Sequence, residues 1–155
     1  MTIEPDVTAH NWVHHNIIDT QGNECVEAKE GTERNVIEYN ICTGQKDPNS
    51  GGIVSRGKAN IIRYNEIHGS VGAGVRLGGH HVDGVQYGVN NLVYGNIISE
   101  NDAGGIKVQV ERQALICGNQ LRDNAAGAMT GDFAESYDGA QPCASAASGS
   151  DLASR

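Results

Sequence analysis

The chain has 155 residues, 21 of them glycine and only 3 proline, with aromatics at 5% and a formal net charge of −8. A single domain of this make-up has few aromatic anchors, and at 38% apolar content its core of Val, Ile, Leu and Ala must be thin. The negative charge argues against non-specific binding to nucleic acid or to an anionic membrane, both of which draw on Lys and Arg.

No apolar run nears the roughly 20 residues of a membrane span, and the first ten residues lack the basic start and apolar middle of a secretion signal. The chain is therefore expected to be cytosolic or to have lost an export signal.

Five motifs follow in chain order: WVHHNII, VIEYNIC, IIRYNEI, LVYGNII and LICGNQL. Their asparagines, Asn16, Asn40, Asn65, Asn96 and Asn119, lie 24, 25, 31 and 23 residues apart. Three residues before each Asn stands an aliphatic side chain (Val13, Ile37, Ile62, Val93, Ile116), and two residues after it an apolar one (Ile18, Cys42, Ile67, Ile98, Leu121). A second strand recurs at CVEAK, GIVSR, GVRLG, GIKVQ and GAMTG, and gives a third apolar column of Val26, Ile53, Val75, Ile106 and Ala128.

Short strands of period two, repeated every 22 to 31 residues with glycine at the approach, describe parallel strands stacked about 4.8 Å apart. No segment shows the 3.6-residue helical period. The predicted fold is an all-β parallel β-helix of about five rungs with two strands per rung, as in Ile53–Arg56 and Ile61–Tyr64. The recurring Asn suits a corner, where its amide bonds to the same position above and below and its backbone tolerates a left-handed turn, so its role is structural.

Two rungs carry insertions, at Gln45–Ser50 and at Gly78–Asn91, the second long enough to project as a loop. The repeat domain is placed at residues 1–131. Residues 132–155 form a C-terminal extension that opens on FAESYDG and ends in a small-residue tail expected to be disordered. Little sequence precedes the first rung, which predicts uncapped ends and hence a fragment or an end-to-end homo-oligomer.

Four cysteines show no C-x-x-C spacing. Cys117 and Cys143 stand about one rung apart, close enough to stack as a disulfide in a secreted chain or to serve as small buried residues. His14 and His15 are neighbours on a strand and are expected to point to opposite faces, unable to share a metal, whereas His80 and His81 in the long loop could do so.

Alternation turns Lys29, Arg56, Arg76 and Lys107 outward, together with Glu27 and Gln109. Gathered on one face of an acidic protein, these cations point to an anionic ligand, with a solvated face balanced by Glu27 and Glu30 as the alternative.

The rung pattern resembles the right-handed parallel β-helix of the pectin-lyase-like superfamily. The order NECVEAKEG followed by IVSRGKANIIRYN and GAGVRLGGHHV resembles polysaccharide lyase family six, the alginate lyases and chondroitinase B. The resemblance implies a secreted or periplasmic enzyme that cleaves a uronate-containing polysaccharide by β-elimination. By that likeness Lys29 is the catalytic base and Arg56 its partner, Arg76, Lys107, His81 and Gln109 hold the sugar chain, and Glu24 with Glu27 binds Ca²⁺. Gly22 stands where the family carries a second acidic ligand, and R-G-K replaces its R-H-G. A non-catalytic glycan-binding or structural module remains the other reading.

Overall fold

The computed structural model describes residues 1–3, 8–79, 81–82 and 84–144. Three parallel sheets stack into a β-solenoid of about five turns. A short strand, β1 (Thr2–Ile3), precedes the first turn, which holds β2 (Trp12–His14) and β3 (Ile17–Asp19). The second turn comprises β4 (Val26–Ala28), β5 (Val36–Glu38) and β6 (Ile41–Thr43), and the third β7 (Gly51–Ser55), β8 (Ile61–Arg63) and β9 (Glu66–His68). The fourth has β10 (Ala73–Leu77), an antiparallel hairpin of β11 (His81–Val82) and β12 (Val85–Gln86), then β13 (Leu92–Tyr94) and β14 (Ile97–Ser99). The fifth runs through β15 (Ile106–Val108), β16 (Leu115–Cys117) and β17 (Gln120–Arg122), and β18 (Met129–Thr130) follows.

Sheet A is β1-β4-β7-β10-β15-β18, sheet B is β2-β5-β8-β13-β16, and sheet C is β3-β6-β9-β14-β17. Each turn thus has three strands where the sequence reading has two. The apolar residue two places after each Asn does not extend the strand before it. It is the middle residue of a new one on sheet C, because the corner residue preceding each Asn is left-handed and turns the chain.

That corner rule holds at all three edges of the solenoid. Left-handed residues precede the polar ladder between sheets B and C at His15, Tyr39, Tyr64, Gly95 and Gly118, with φ from 53° to 68°. Between A and B they are His10, Arg34, Ala59 and Asn90, and between C and A they are Gly44, Gly69, Glu100 and Asp123. The residue after each is polar and joins the stack through its side chain, except Ser70, which joins it through its backbone N–H while its hydroxyl is buried without a partner. Asn16, Asn40, Asn65, Asn96 and Asn119 form one ladder, their amides joined at 3.0, 3.1, 3.0 and 2.9 Å. Asn11, Asn35, Asn60, Asn91 and Gln113 form the second, and Gln45, Ser70, Asn101 and Asn124 stand at the third corner. These groups satisfy backbone that no strand can pair at a corner, where an orphaned buried donor costs about 1–3 kcal/mol.

The core lies between the sheets as apolar columns. Val13, Ile37, Ile62, Val93 and Ile116 come from sheet B, and Cys42, Ile67 and Ile98 from sheet C, with Ile18 and Leu121 at its two ends. Sheet A supplies Val26, Ile53, Val75 and Ile106, whose next partner in register is Met129, not Ala128. A slip of one residue exchanges the faces of a strand, and the Gly-rich GAMTG carried too little pattern to fix its register. Ala128 is exposed, and Met129 packs on the core.

Sheet A approaches sheet C closely enough that a Cβ at Gly52, Gly74 or Gly105 would meet Ile67, Ile98 or Leu121 within 2.4–3.2 Å. In the second turn Cys25 takes the glycine position and Cys42 the aliphatic one, and the two are joined as a disulfide. The close approach that excludes a side chain elsewhere here holds a covalent bond.

The C-terminal end is covered. Residues 132–144 fold back over the last turn, with a 3-10 turn at Ala134–Ser136, and Phe133 and Tyr137 pack against the core. Backbone bonds from Gly118 to Gln141 (2.7 Å) and from Asn119 to Gly139 (3.0 Å), with the Cys117–Cys143 disulfide, fix this segment in place. The expectation of an uncapped solenoid therefore does not apply at this end, and the tail from residue 145 lies outside the described residues.

Candidate ligand face on sheet A

The outward side chains of sheet A stand in two columns. Register places Glu27, Val54, Arg76, Lys107 and Thr130 in one, and the next outward position gives Lys29, Arg56, Gly78 and Gln109 in the other. The basic residues expected to form one vertical ladder are thus split, with Lys29 beside Arg56 in one column and Arg76 beside Lys107 in its neighbour. The reason is the two-residue period: Arg76 sits one outward position earlier in its strand than Arg56 does.

Arg56 is held by acids. Its guanidinium is ion-paired with Glu27 and, at 2.8 Å, with Glu30. Glu27 is only 8% exposed, so removing this partner would leave its carboxylate buried without a counter-charge. Glu24 lies beyond, its carboxylate accepting a hydrogen bond from the Ser50 hydroxyl. Lys29 is half-buried one rung below Arg56.

Arg76 differs from Arg56. It makes no ion pair among the described residues, and its one side-chain hydrogen bond is from Nη2 to the carbonyl of Gly79, at 3.2 Å. Its Nε is buried without a partner. The bend that receives it needs glycine: Gly79 has φ +96°, and a Cβ there would collide with the guanidinium. Burial, then the charge of Arg56, push the Arg76 pKa below the usual arginine value, against the opposing pull of Glu24, Asp47 and Glu27. Its positive charge is thus incompletely compensated by the protein.

Gln109 accepts a bond from the Asp132 backbone at 3.1 Å and so is tied to the C-terminal segment. His81 belongs to the hairpin, but its side chain lies outside the described residues, as does His80. Beside the hairpin a cavity of about 320 Å³ is lined by Thr32, Arg56, Lys58, Val85, Tyr87 and Val89, among others. Arg56 therefore borders both the open sheet and this recess.

The calcium expectation rests on Glu24 and Glu27. Ca²⁺ takes roughly six to eight oxygen ligands, and here one oxygen of each carboxylate is already bonded, that of Glu27 to Arg56 and that of Glu24 to Ser50. Among the described residues no group of three or more His, Cys, Asp or Glu is placed to hold a metal ion. As arranged, the pair does not fit calcium.

Sequence reasoning missed a second polar cluster, on the outside of sheet B. Arg63 bonds Glu38 at 2.5 Å and the Tyr94 hydroxyl at 2.9 Å, and the Trp12 indole N–H donates to Glu38 at 2.9 Å. Burial lowers the Arg63 pKa, but the bonds to Tyr94 and Glu38 outweigh it and the net direction is upward. Vertical matching of Glu38, Arg63 and Tyr94, each two residues before its ladder Asn, is the signal that could have revealed the cluster.

No helix among the described residues is long and apolar enough to cross a membrane. Comparison with family models, with characterised proteins and with solved structures finds no match to this chain.

Proposed function

We propose that this protein binds an acidic, uronate-containing polysaccharide along the outer face of sheet A. The observation that carries the reading is Arg76, half-buried, without an ion pair among the described residues, and one rung from Lys107 in the same column. A carboxylate or sulfate on an extended sugar chain supplies the charge that Arg76 lacks. Arg76 and Lys107 belong to adjacent strands about 4.8 Å apart, so one anionic group can be shared between them. Glu24, Glu27 and Asp47 near Arg76 set a limit on the charge density tolerated, which favours isolated carboxylates over dense sulfation.

A second reading, lyase activity, is favoured by the placement of Lys29 and Arg56 in adjacent rungs of one column. In that reading Lys29 takes the C5 proton of a uronate, the C4–O bond breaks as the C4–C5 double bond forms, and Arg56 assists the departing oxygen. Arg56 must then exchange one of its carboxylate contacts for the substrate.

The test is incubation with alginate, pectate and sulfated glycosaminoglycans, with and without calcium, following retention in affinity electrophoresis and the appearance of unsaturated, ultraviolet-absorbing ends. Retention by a uronate polymer that is lost in Arg76→Ala supports binding. Unsaturated product that vanishes in Lys29→Ala adds the lyase step, and absence of retention on every polymer overturns the proposal.

A further inference from the structure

The first turn holds two histidines whose placement differs from the sequence expectation. His14 ends β2, but His15 is the left-handed corner residue, with φ 53°. The turn cancels the strand alternation that would separate the pair, and the two Nδ1 atoms stand 2.8 Å apart. We propose that His14 and His15 are a chelating pair for a divalent cation of square-planar preference, copper(II) above all.

Distance selects the metal. Two nitrogens bound about 2.0 Å from one ion at a right angle lie about 2.8 Å apart, whereas a tetrahedral ion would require about 3.3 Å. The observed separation is that of adjacent positions in a tetragonal site, the geometry of Cu²⁺ and Ni²⁺ rather than Zn²⁺.

Both rings are held in place before any metal arrives. His14 stacks on the indole of Trp12, with centroids 3.6 Å apart and planes 23° from parallel, and Trp12 is itself tied to Glu38 through its N–H. His15 stacks on Tyr39 at 5.2 Å and 19°. The rings meet edge to face, so neither covers the other's nitrogen. His15 is exposed and His14 half-exposed, which leaves the remaining coordination positions to water.

For two neutral rings the 2.8 Å contact is a hydrogen bond donated by the Nδ1–H of one ring to the Nδ1 lone pair of the other. Binding an ion requires the donor ring to take its other tautomer, with the proton on Nε2, so that both Nδ1 lone pairs face the ion; between neutral rings this releases no proton and involves no redox step.

The protein carries its own reporter, since Trp12 is its one tryptophan and lies against His14. The full chain is titrated with CuCl₂ while Trp12 fluorescence is followed, and the one-equivalent complex is examined by electron paramagnetic resonance. The expected result is saturable quenching at one equivalent and superhyperfine coupling to two imidazole nitrogens. His14→Gln and His15→Asn should each weaken the quenching midpoint by about 100-fold, the advantage of a second tethered ligand. Asn is at home in left-handed backbone, so the His15 variant keeps the corner, and circular dichroism verifies each fold. His10→Gln should change nothing. The proposal is overturned if both variants retain the parent midpoint, or if the parent spectrum shows no two-nitrogen pattern.

Discussion

The three corners and the outer face of sheet A are built from the same repeat, yet they obey different rules. At the corner between sheets B and C the same residue type recurs in every turn, because each Asn must both donate to and accept from its copies above and below. On the outer face of sheet A, Glu27, Val54, Arg76, Lys107 and Thr130 succeed one another in a single register column with no two alike. A buried column has to solve one hydrogen-bonding problem repeatedly, so its residues converge. An outward column repeats no such problem: Val54 is buried, Glu27 is paired with Arg56, and Arg76 has no ion pair among the described residues, so its residues are free to differ, and the departures from repetition mark where function can reside.

The largest effect should come from breaking a ladder. Asn65 donates to Asn96 and to the Ile37 carbonyl, and accepts from the backbone and side-chain N–H groups of Asn40, all within about 3.1 Å. Asn65→Ala leaves several of these groups buried and unpaired, and should cost about 4 kcal/mol or more in the midpoint of chemical denaturation. A cost near that of a surface substitution would mean that water replaces the amide and that the corner is less constrained than its geometry implies.

Next in size is the bridge that replaces the glycine–aliphatic contact. Cys25→Ala with Cys42→Ala removes a disulfide closing 17 residues, worth about 3 kcal/mol, and leaves poor packing behind. Cys25→Gly with Cys42→Ile copies the pairing of Gly52 with Ile67, and should recover about 1–2 kcal/mol of that loss in thermal or urea melts. If the glycine–isoleucine version is no better than the double alanine, the second turn is not equivalent to the turns above it.

The outer face should separate stability from binding. Arg56→Met strands Glu27 at 8% exposure and should destabilise the fold by about 2 kcal/mol. Arg76→Ala removes a guanidinium that is desolvated and unpaired among the described residues, and should change stability by less than about 1 kcal/mol. The same Arg76 change should weaken retention on a uronate polymer by about tenfold or more. Equal stability losses for the two would place Arg76 among the structural residues and remove the contrast between the columns.

The corner motif was legible in the sequence because an inward Asn flanked by aliphatics cannot be exchanged for another side chain without losing the ladder. Only one ladder was read, however. The other two carry mixed residues, Gln113 in one and Gln45 and Ser70 in the other, which dilutes their signal. The third strand of each turn escaped because its three residues continue the polarity pattern across a left-handed corner, and φ is not written in hydropathy. Cys25 and Cys42 already stood in the glycine and aliphatic columns, but their pairing required knowing that those columns touch. The outward position of Arg56 was legible, and so were Glu27 and Glu30 as acids that could balance that face, but not that both converge on Arg56, since Glu30 reaches it from the turn beyond β4. Phe133 and Tyr137 were visible only as an acidic, aromatic patch because a cap is used once and so has no period to betray it.

The smallest effect concerns the outer rim of the same corner, where Tyr64 is the left-handed residue before Asn65 and its ring overlies Gly95. It stacks on Tyr39 at 5.4 Å and meets Tyr94 edge-on at 5.7 Å. Burial, then the charge of Tyr94, raise its phenol above the ordinary tyrosine value near 10, with Arg63 pulling the other way. An acid whose pKa is raised on folding favours the protonated form in the native state. Its contribution to stability is therefore complete below the unfolded value near 10 and is lost as pH rises through the higher folded value. Among the 5 tyrosines, Tyr64 should be late to ionise in an ultraviolet titration, and Tyr64→Phe should remove that late step and flatten the fall in stability above pH 10. If Tyr64→Phe instead removes a step in the ordinary range, the ring stands freer of its neighbours than the stack requires, and the corner's order stops at the buried asparagines.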